Sequence, residues 1–161
     1  MRIGVVSDTH NHLPNVARIV ALFHEARVER VVHTGDITQP KTLEAFAALD
    51  VPLVGVYGNN DQERPGLEAA ARRHGIALCE PPLELAWAGR RILVVHDPLD
   101  LDHHLADHHD VALHGHNHEH VVERRGATLV FNPGECAGHL SGHNAVGVVD
   151  LVRLETTLLR F

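Results

Sequence analysis

Five times along the chain a short apolar run stops abruptly at a polar cluster. Ile3–Val6 runs into Ser7-Asp8-Thr9-His10, Val31-Val32 into His33-Thr34-Gly35-Asp36, and Leu53–Tyr57 into Gly58-Asn59-Asn60-Asp61. Ile92–Val95 runs into His96-Asp97, and Val111–Leu113 into His114-Gly115-His116-Asn117-His118. Short β-branched runs bounded by Gly, Asn and Asp predict buried strands. Helical spacing fills the gaps: Val16, Ile19, Val20 and Phe23 follow a first-turn Pro14, and Leu43, Phe46, Ala47 and Leu49 mark a second helix. Residues Leu67 to Arg73 predict a third helix, and Leu101 with Leu105 a fourth. Strand–helix–strand units of this length imply parallel strands with right-handed crossovers. After Gly115 the pattern changes to Val121–Arg124, Thr128–Phe131, Ala145–Val149 and Val152–Arg160, strands joined by tight turns. The alternation in Val152-Arg153-Leu154-Glu155-Thr156 predicts a half-exposed antiparallel strand. The expectation is an α/β core continuing into an antiparallel portion, as two sheets packed face to face with helices outside.

The chain has 161 residues, which suits one domain over 1–161 with its own core. A formal charge of −7 excludes a general nucleic-acid coat or an anionic-membrane binder, since both need clustered Lys and Arg. Cys79 and Cys136 are far apart and in no CxxC pair, which excludes a disulfide scaffold or a thiolate zinc site and fits a reducing cytosol. The first residues lack a signal-peptide core, and no stretch approaches the roughly 18 apolar residues of a membrane span. A cytoplasmic protein is expected. The unusual residue is histidine, with 16 copies, so their positions must decide what they do.

In open parallel α/β sheets, ligands bind beyond the carboxyl ends of the strands, and all five polar clusters fall there. They assemble Asp8, His10, Asp36, Asn59, His96, His116 and His118. Seven oxygen and nitrogen ligands are too many for one tetrahedral ion and suit two ions about 3.5–4 Å apart sharing a carboxylate. Mixed nitrogen/oxygen ligation favours Mn, Fe, Zn, Co or Ni over Ca or Mg. Two divalent ions with two carboxylates leave a formal excess of positive charge that a bridging hydroxide and a singly charged phosphodiester would neutralise. Asp-x-His and Gly-Asp are common strings, and Gly-Asn-Asn-Asp alone suits a turn. Five clusters in order, each ending an apolar run, carry the metal-site reading.

These residues resemble the calcineurin-like metallophosphoesterase superfamily, whose signature runs D-x-H, G-D, G-N-x-D/E, H and G-H-x-H. Here it reads Asp8-Thr9-His10, Gly35-Asp36, Gly58-Asn59-Asn60-Asp61, His96 and Gly115-His116-Asn117-His118. The short length and Asn132-Pro133-Gly134-Glu135-Cys136 look like its small YfcE-like phosphodiesterase branch, in particular the archaeal-type members. The resemblance implies an α/β fold, a four-layer α-β-β-α sandwich of two mixed sheets. It implies that Asp8, His10, Asp36 and His118 hold one metal, and Asp36, Asn59, His96 and His116 the other. Asp36, Asn59 and His96 would form the catalytic core, with a bridging water or hydroxide as nucleophile. Manganese is the expected metal of both sites, with Ni, Zn, Fe, Co or Mg as substitutes. The implied reaction is hydrolysis of small phosphodiesters.

Two departures from the pattern stand out. Many relatives carry His-Gly where this chain has His96-Asp97, and the protein phosphatases carry a general-acid histidine where this chain has Asn60. The departing group must then be protonated from elsewhere, or must need little protonation. His12, His33, Asn60 and Asp97 are the residues expected to meet substrate or to support the ligands from behind. His104 and His108, spaced i,i+4, read as a solvated helix face, and His139 and His143 as turn residues in a Gly-rich loop. Competing readings are a phosphomonoesterase of the same fold, a non-catalytic scaffold like the small retromer subunit, and a histidine-rich metal buffer. A homo-oligomer is compatible with all of them.

Overall fold

A computed structural model describes residues 1–139 and 142–161. The element order is β1 (Arg2–Val6), α1 (Leu13–Ala26), β2 (Arg30–His33), α2 (Pro40–Phe46), β3 (Leu53–Val56), α3 (Arg64–His74) and β4 (Ala77–Cys79). There follow β5 (Leu83–Trp87), β6 (Arg90–Val94), α4 (Leu101–His104), β7 (Val111–Leu113), β8 (His120–Arg125), β9 (Thr128–Pro133), β10 (Ala145–Asp150) and β11 (Glu155–Arg160). One sheet has the order β11-β10-β1-β2-β3-β4 and the other β5-β6-β7-β9-β8. Both are mixed: β1 to β4 are parallel, β10 and β11 antiparallel, while β6, β7 and β9 are parallel between antiparallel β5 and β8.

Alternate side chains of a strand face opposite sides, so each sheet supplies two packing surfaces. Ile3, Val5, Val32 and Val56 of the first sheet meet Ile92, Val94, Leu113 and Phe131 of the second in the central layer. Val6, Val31 and Val146 instead face Val16, Ile19, Phe23, Leu43 and Leu67 of the helices α1 to α3. The outer face of the second sheet is covered more thinly, by Leu101 of α4 against Leu93, Val95, Ala112 and Val130. This is the expected α-β-β-α arrangement, with one thick and one thin helical layer.

The structure departs from the sequence reading in three places. Strands β4 and β5 are additional, and β5 shows the alternation of a half-buried strand in Leu83-Glu84-Leu85-Ala86-Trp87. The final strand begins at Glu155, because Val152 and Arg153 lie in a turn whose N–H groups both donate to Asp150 Oδ1 (2.9 and 3.1 Å). Helix α4 stops at His104, so His104 and His108 do not share a helix face. No helix among the described residues is long and apolar enough to cross a membrane.

Candidate metal centre

The loops after β1, β2 and β3 leave one sheet, and those after β6 and β7 leave the other, at a common edge. Backbone hydrogen bonds stitch them together: Asp8 N–H donates to Gly35 O (3.1 Å) and His10 N–H to Asp36 O (2.9 Å). The crowding explains the glycines of the sequence pattern. A Cβ on Gly58 would collide with Asp36 Oδ1 and lie 2.6 Å from Asp36 N; one on Gly115 would collide with Ser7 Oγ and lie 2.7 Å from Asp8 Oδ2. Five of the seven predicted ligands also sit in the left-handed backbone region: Asp8 (φ +50°), His10 (+44°), Asp36 (+59°), His116 (+72°) and His118 (+58°). Each such residue costs about 1–3 kcal/mol, and strain of this kind persists where surrounding contacts over-determine it.

All seven predicted residues converge around Asp36. On one side, Asp8, His10 and His118 bring ligand atoms within 4.8 Å of one another. His118 Nε2 lies 3.4 Å from Asp8 Oδ1, and His10 Nε2 lies 3.8 Å from Asp36 Oδ2. Asp8 Oδ1 and His10 Nε2 are nevertheless buried without a hydrogen-bond partner. On the other side, Asn59 Oδ1 stands 3.0 Å from both His96 Nε2 and His116 Nδ1, and these two nitrogens are 3.3 Å apart. Asp36 Oδ1 is 3.5 Å from His96 Nε2. His96 Nδ1 donates to Thr34 O (2.8 Å), so neutral His96 presents a lone pair at Nε2. Lone pairs therefore face lone pairs, which is unfavourable without a cation between them. The donor set fits divalent metal on both sides of Asp36.

Carboxylate geometry matches this division. Asp8 Oδ2 accepts from Ser7 Oγ and from His116 N–H (3.1 Å), leaving Oδ1 for the centre. Burial, the largest influence on Asp8, would raise its pKa, but contact with His118 and the Ser7 hydrogen bond together hold it below the usual carboxylate range. The same contact with Asp8 raises the basicity of His118, against the effect of burial. Asp36 Oδ1 accepts from Asn60 N–H (3.0 Å) and Oδ2 from Asn60 Nδ2 (2.8 Å). Asn60 is thus a clamp on the central carboxylate, with its side-chain amide turned to Asp36.

The other expected supporting residues divide. His33 is fully buried and cannot meet substrate. Its Nδ1 accepts from Gly35 N–H (3.1 Å), which leaves the proton on Nε2 to donate to Thr9 Oγ1 (2.9 Å). It ties the first two loops together, and burial pushes its pKa down to about 4. His12 caps α1, its Nδ1 accepting from Asn15 N–H at 3.3 Å. Asp97 accepts from Leu99 N–H through Oδ1 (2.9 Å) and places Oδ2 3.8 Å from His116 Nε2. Outer carboxylates of this kind orient metal-binding imidazoles. Glu135 stands in the same relation to His118, with Oε2 3.6 Å from Nδ1.

Sequence reasoning passed over three supports. Asp61 is buried and accepts from Asp36 N–H (3.0 Å), Thr38 N–H (2.6 Å) and Gly58 N–H (2.7 Å), joining the second and third loops. Burial raises its pKa, outweighing these hydrogen bonds. Asn132 donates to Asn117 Oδ1 (2.8 Å) and Gly115 O (3.3 Å), fixing the Gly-His-Asn-His loop. Glu135 is the third, and its place in the quoted Asn-Pro-Gly-Glu string was the available signal. Two cavities open beside the centre: one of about 400 Å³ that includes His118, His139, His143 and Arg160, and one of about 250 Å³ that includes Asn59, Arg64, His96, Asp97 and His116.

Comparison with known proteins gives a consistent picture. Residues 1–154 match the calcineurin-like phosphoesterase superfamily domain. The chain is 32% identical to Phosphodiesterase MJ0936 of Methanocaldococcus jannaschii, over 96% of each chain. It is 26% identical to Phosphodiesterase YfcE of Escherichia coli, over 93% of this chain and 88% of the relative. Its fold superimposes on the solved structure of an archaeal phosphodiesterase with a TM-score of 0.91 at 31% identity, over 100% of both chains. It also matches Vps29 of Entamoeba histolytica, solved in complex with zinc, with a TM-score of 0.66 at 15% identity over 100% of this chain and 98% of that one. At that identity the likeness is one of fold.

Proposed function

The chain belongs to the calcineurin-like phosphoesterase superfamily, and from that premise we propose that it is a phosphodiesterase acting on small phosphodiesters with two divalent ions, manganese first among them. One observation carries the metal reading: Asp8 Oδ1 and His10 Nε2 are buried without partners on one side of Asp36, while the Asn59, His96 and His116 lone pairs converge on the other. Asp8, His10, Asp36 and His118 would hold one ion, and Asp36, Asn59, His96 and His116 the second. Ions bound there supply Lewis-acid charge and lower the pKa of water for in-line displacement at phosphorus.

The chain's own residues set the geometry. Asn60 holds both oxygens of Asp36, Asp61 fixes the backbone on either side of it, and Thr34 O fixes the His96 tautomer. Asp97 and Glu135 hold the outer faces of His116 and His118. Two carboxylates against two divalent ions leave a small positive excess, suited to a singly charged diester. The relatives named phosphodiesterase support the same preference.

The test begins with chelator-treated protein titrated with Mn²⁺ by calorimetry, followed by assays on bis-p-nitrophenyl phosphate and p-nitrophenyl phosphate. Two ions per chain and faster diester turnover are expected. Faster monoester turnover would replace this reading with a phosphomonoesterase, and absence of stoichiometric metal would end the catalytic reading.

A further inference from the structure

The cavity of about 250 Å³ beside Asn59, His96 and His116 is also lined by Tyr57, Arg64, Glu80, Asp97 and Asp100. Arg64 is held there from two directions. Its guanidinium carbon lies 3.7 Å from the centroid of the Tyr57 ring, and Nη2 lies 3.0 Å from Glu80 Oε1. Stacking and an ion pair through Nη2 together hold the guanidinium in place. About a third of the Arg64 side chain remains exposed, and the residue lines the cavity, where a charged donor can meet an anion.

Hydrolysis of a phosphodiester forms one P–O bond from water and breaks one P–O bond to the departing alcohol. The electron pair of the broken bond leaves on the departing oxygen; the proton lost from water goes to solvent, and the departing oxygen takes its proton from solvent. Until then its charge must be neutralised. Apart from the Tyr57 hydroxyl, whose pKa burial raises, the groups in this cavity offer no proton for that purpose. His96 gives its Nδ1 proton to Thr34 O, His116 faces Asn59 through Nδ1, and Asn60 spends its side-chain amide on Asp36. Asp97 is engaged with Leu99 N–H and His116, Glu80 with Arg64, and the carboxylate of Asp100 repels an anion. Arg64 is the one permanent cation lining the cavity among the described residues.

Building on the phosphodiesterase reading above, we propose that Arg64 is the leaving-group site: its guanidinium binds the departing oxygen and neutralises its charge in place of a proton. The substrates favoured are diesters whose departing oxygen tolerates negative charge, such as aryl or other acidic alcohols.

The experiment uses the Mn²⁺-loaded full chain and a series of methyl aryl phosphates whose phenols differ in acidity, reading the slope of log kcat/KM against phenol pKa. Wild type gives a shallow slope. Arg64→Gln steepens it, with a loss of about 100-fold for the least acidic phenol and under about 10-fold for the most acidic, the range for removing one preorganised donor. Arg64→Lys, which keeps the charge without the guanidinium, falls between them and serves alone if the Gln variant does not fold. Metal stoichiometry stays unchanged in both variants. A purely structural role would displace the line without changing its slope, and that result overturns the proposal while leaving the phosphodiesterase reading intact. Absence of hydrolysis by the wild-type chain overturns both.

Discussion

Among the described residues, carboxylates and imidazoles gather at two places, and distance alone does not tell them apart. Asp8, His10 and His118 at the strand-end cleft, and Glu84, His108 and His109 beyond α4, each bring ligand atoms within 4.8 Å of one another. The difference lies in the protons. His109 Nδ1 accepts from Ala106 N–H (3.0 Å), so Nε2 carries the ring proton and gives it to the two Glu84 oxygens at 2.9 and 3.0 Å. The His109 contacts each have a hydrogen between their heavy atoms. In the cleft, Thr34 O takes the His96 proton away from the centre, and Nε2 meets Asn59 Oδ1 and Asp36 Oδ1 with lone pairs only. One arrangement is a completed set of hydrogen bonds; the other brings acceptors together with no hydrogen between them.

Substitutions can break this contrast. Asp36→Asn removes the carboxylate between the two halves and is expected to lower diester turnover by about 1,000-fold or more, with loss of stoichiometric metal in calorimetry. His108→Ala is expected to leave both unchanged; a loss of metal there would erase the distinction. Asn60→Ala frees both Asp36 oxygens from their clamp. A metal affinity about 10–100-fold weaker is expected, as for other groups that orient a ligand from behind.

A smaller effect sharpens the proton accounting through His33. Its folded pKa of about 4 lies below the ordinary 6.5, so the folded state favours the neutral ring. The unfolded chain then binds the extra proton, and stability is full above pH 6.5, falls as pH drops toward 4, and levels off below. The shift corresponds to about 3 kcal/mol. In chelator, the urea-unfolding difference between wild type and His33→Gln is expected to shrink by that order from pH 7 to pH 4. A difference independent of pH would mean that burial does not hold His33 neutral.

The ligand positions were legible because each ends an apolar run, and strand ends point to one edge. Gly58 and Gly115 were legible as motif letters, though their reason, a collision with Asp36 and Ser7, needs coordinates. The roles of Asn60, Asp61 and Asn132 were not, because they rest on hydrogen bonds that reach 15 to 25 residues along the chain. Strand β4 has three residues, too few for periodicity to register. The fourth helix was overestimated: Leu101 and Leu105 give the right spacing, but Leu105 already has extended backbone.

Strand β10 lies beside β1 in the first sheet, and His116 N–H reaches back 108 residues to Asp8. On a ribosome, Asp8, His10, Asp36 and Asn59 emerge long before His96, His116 and His118. The early chain therefore carries half a binding site with no partner for its ligands. Strand β1 waits for one of its two neighbours until nearly the whole chain has been made. Contacts of such long sequence separation are made late in folding. On the proposed metal reading, tight metal uptake would mark completion of the polypeptide.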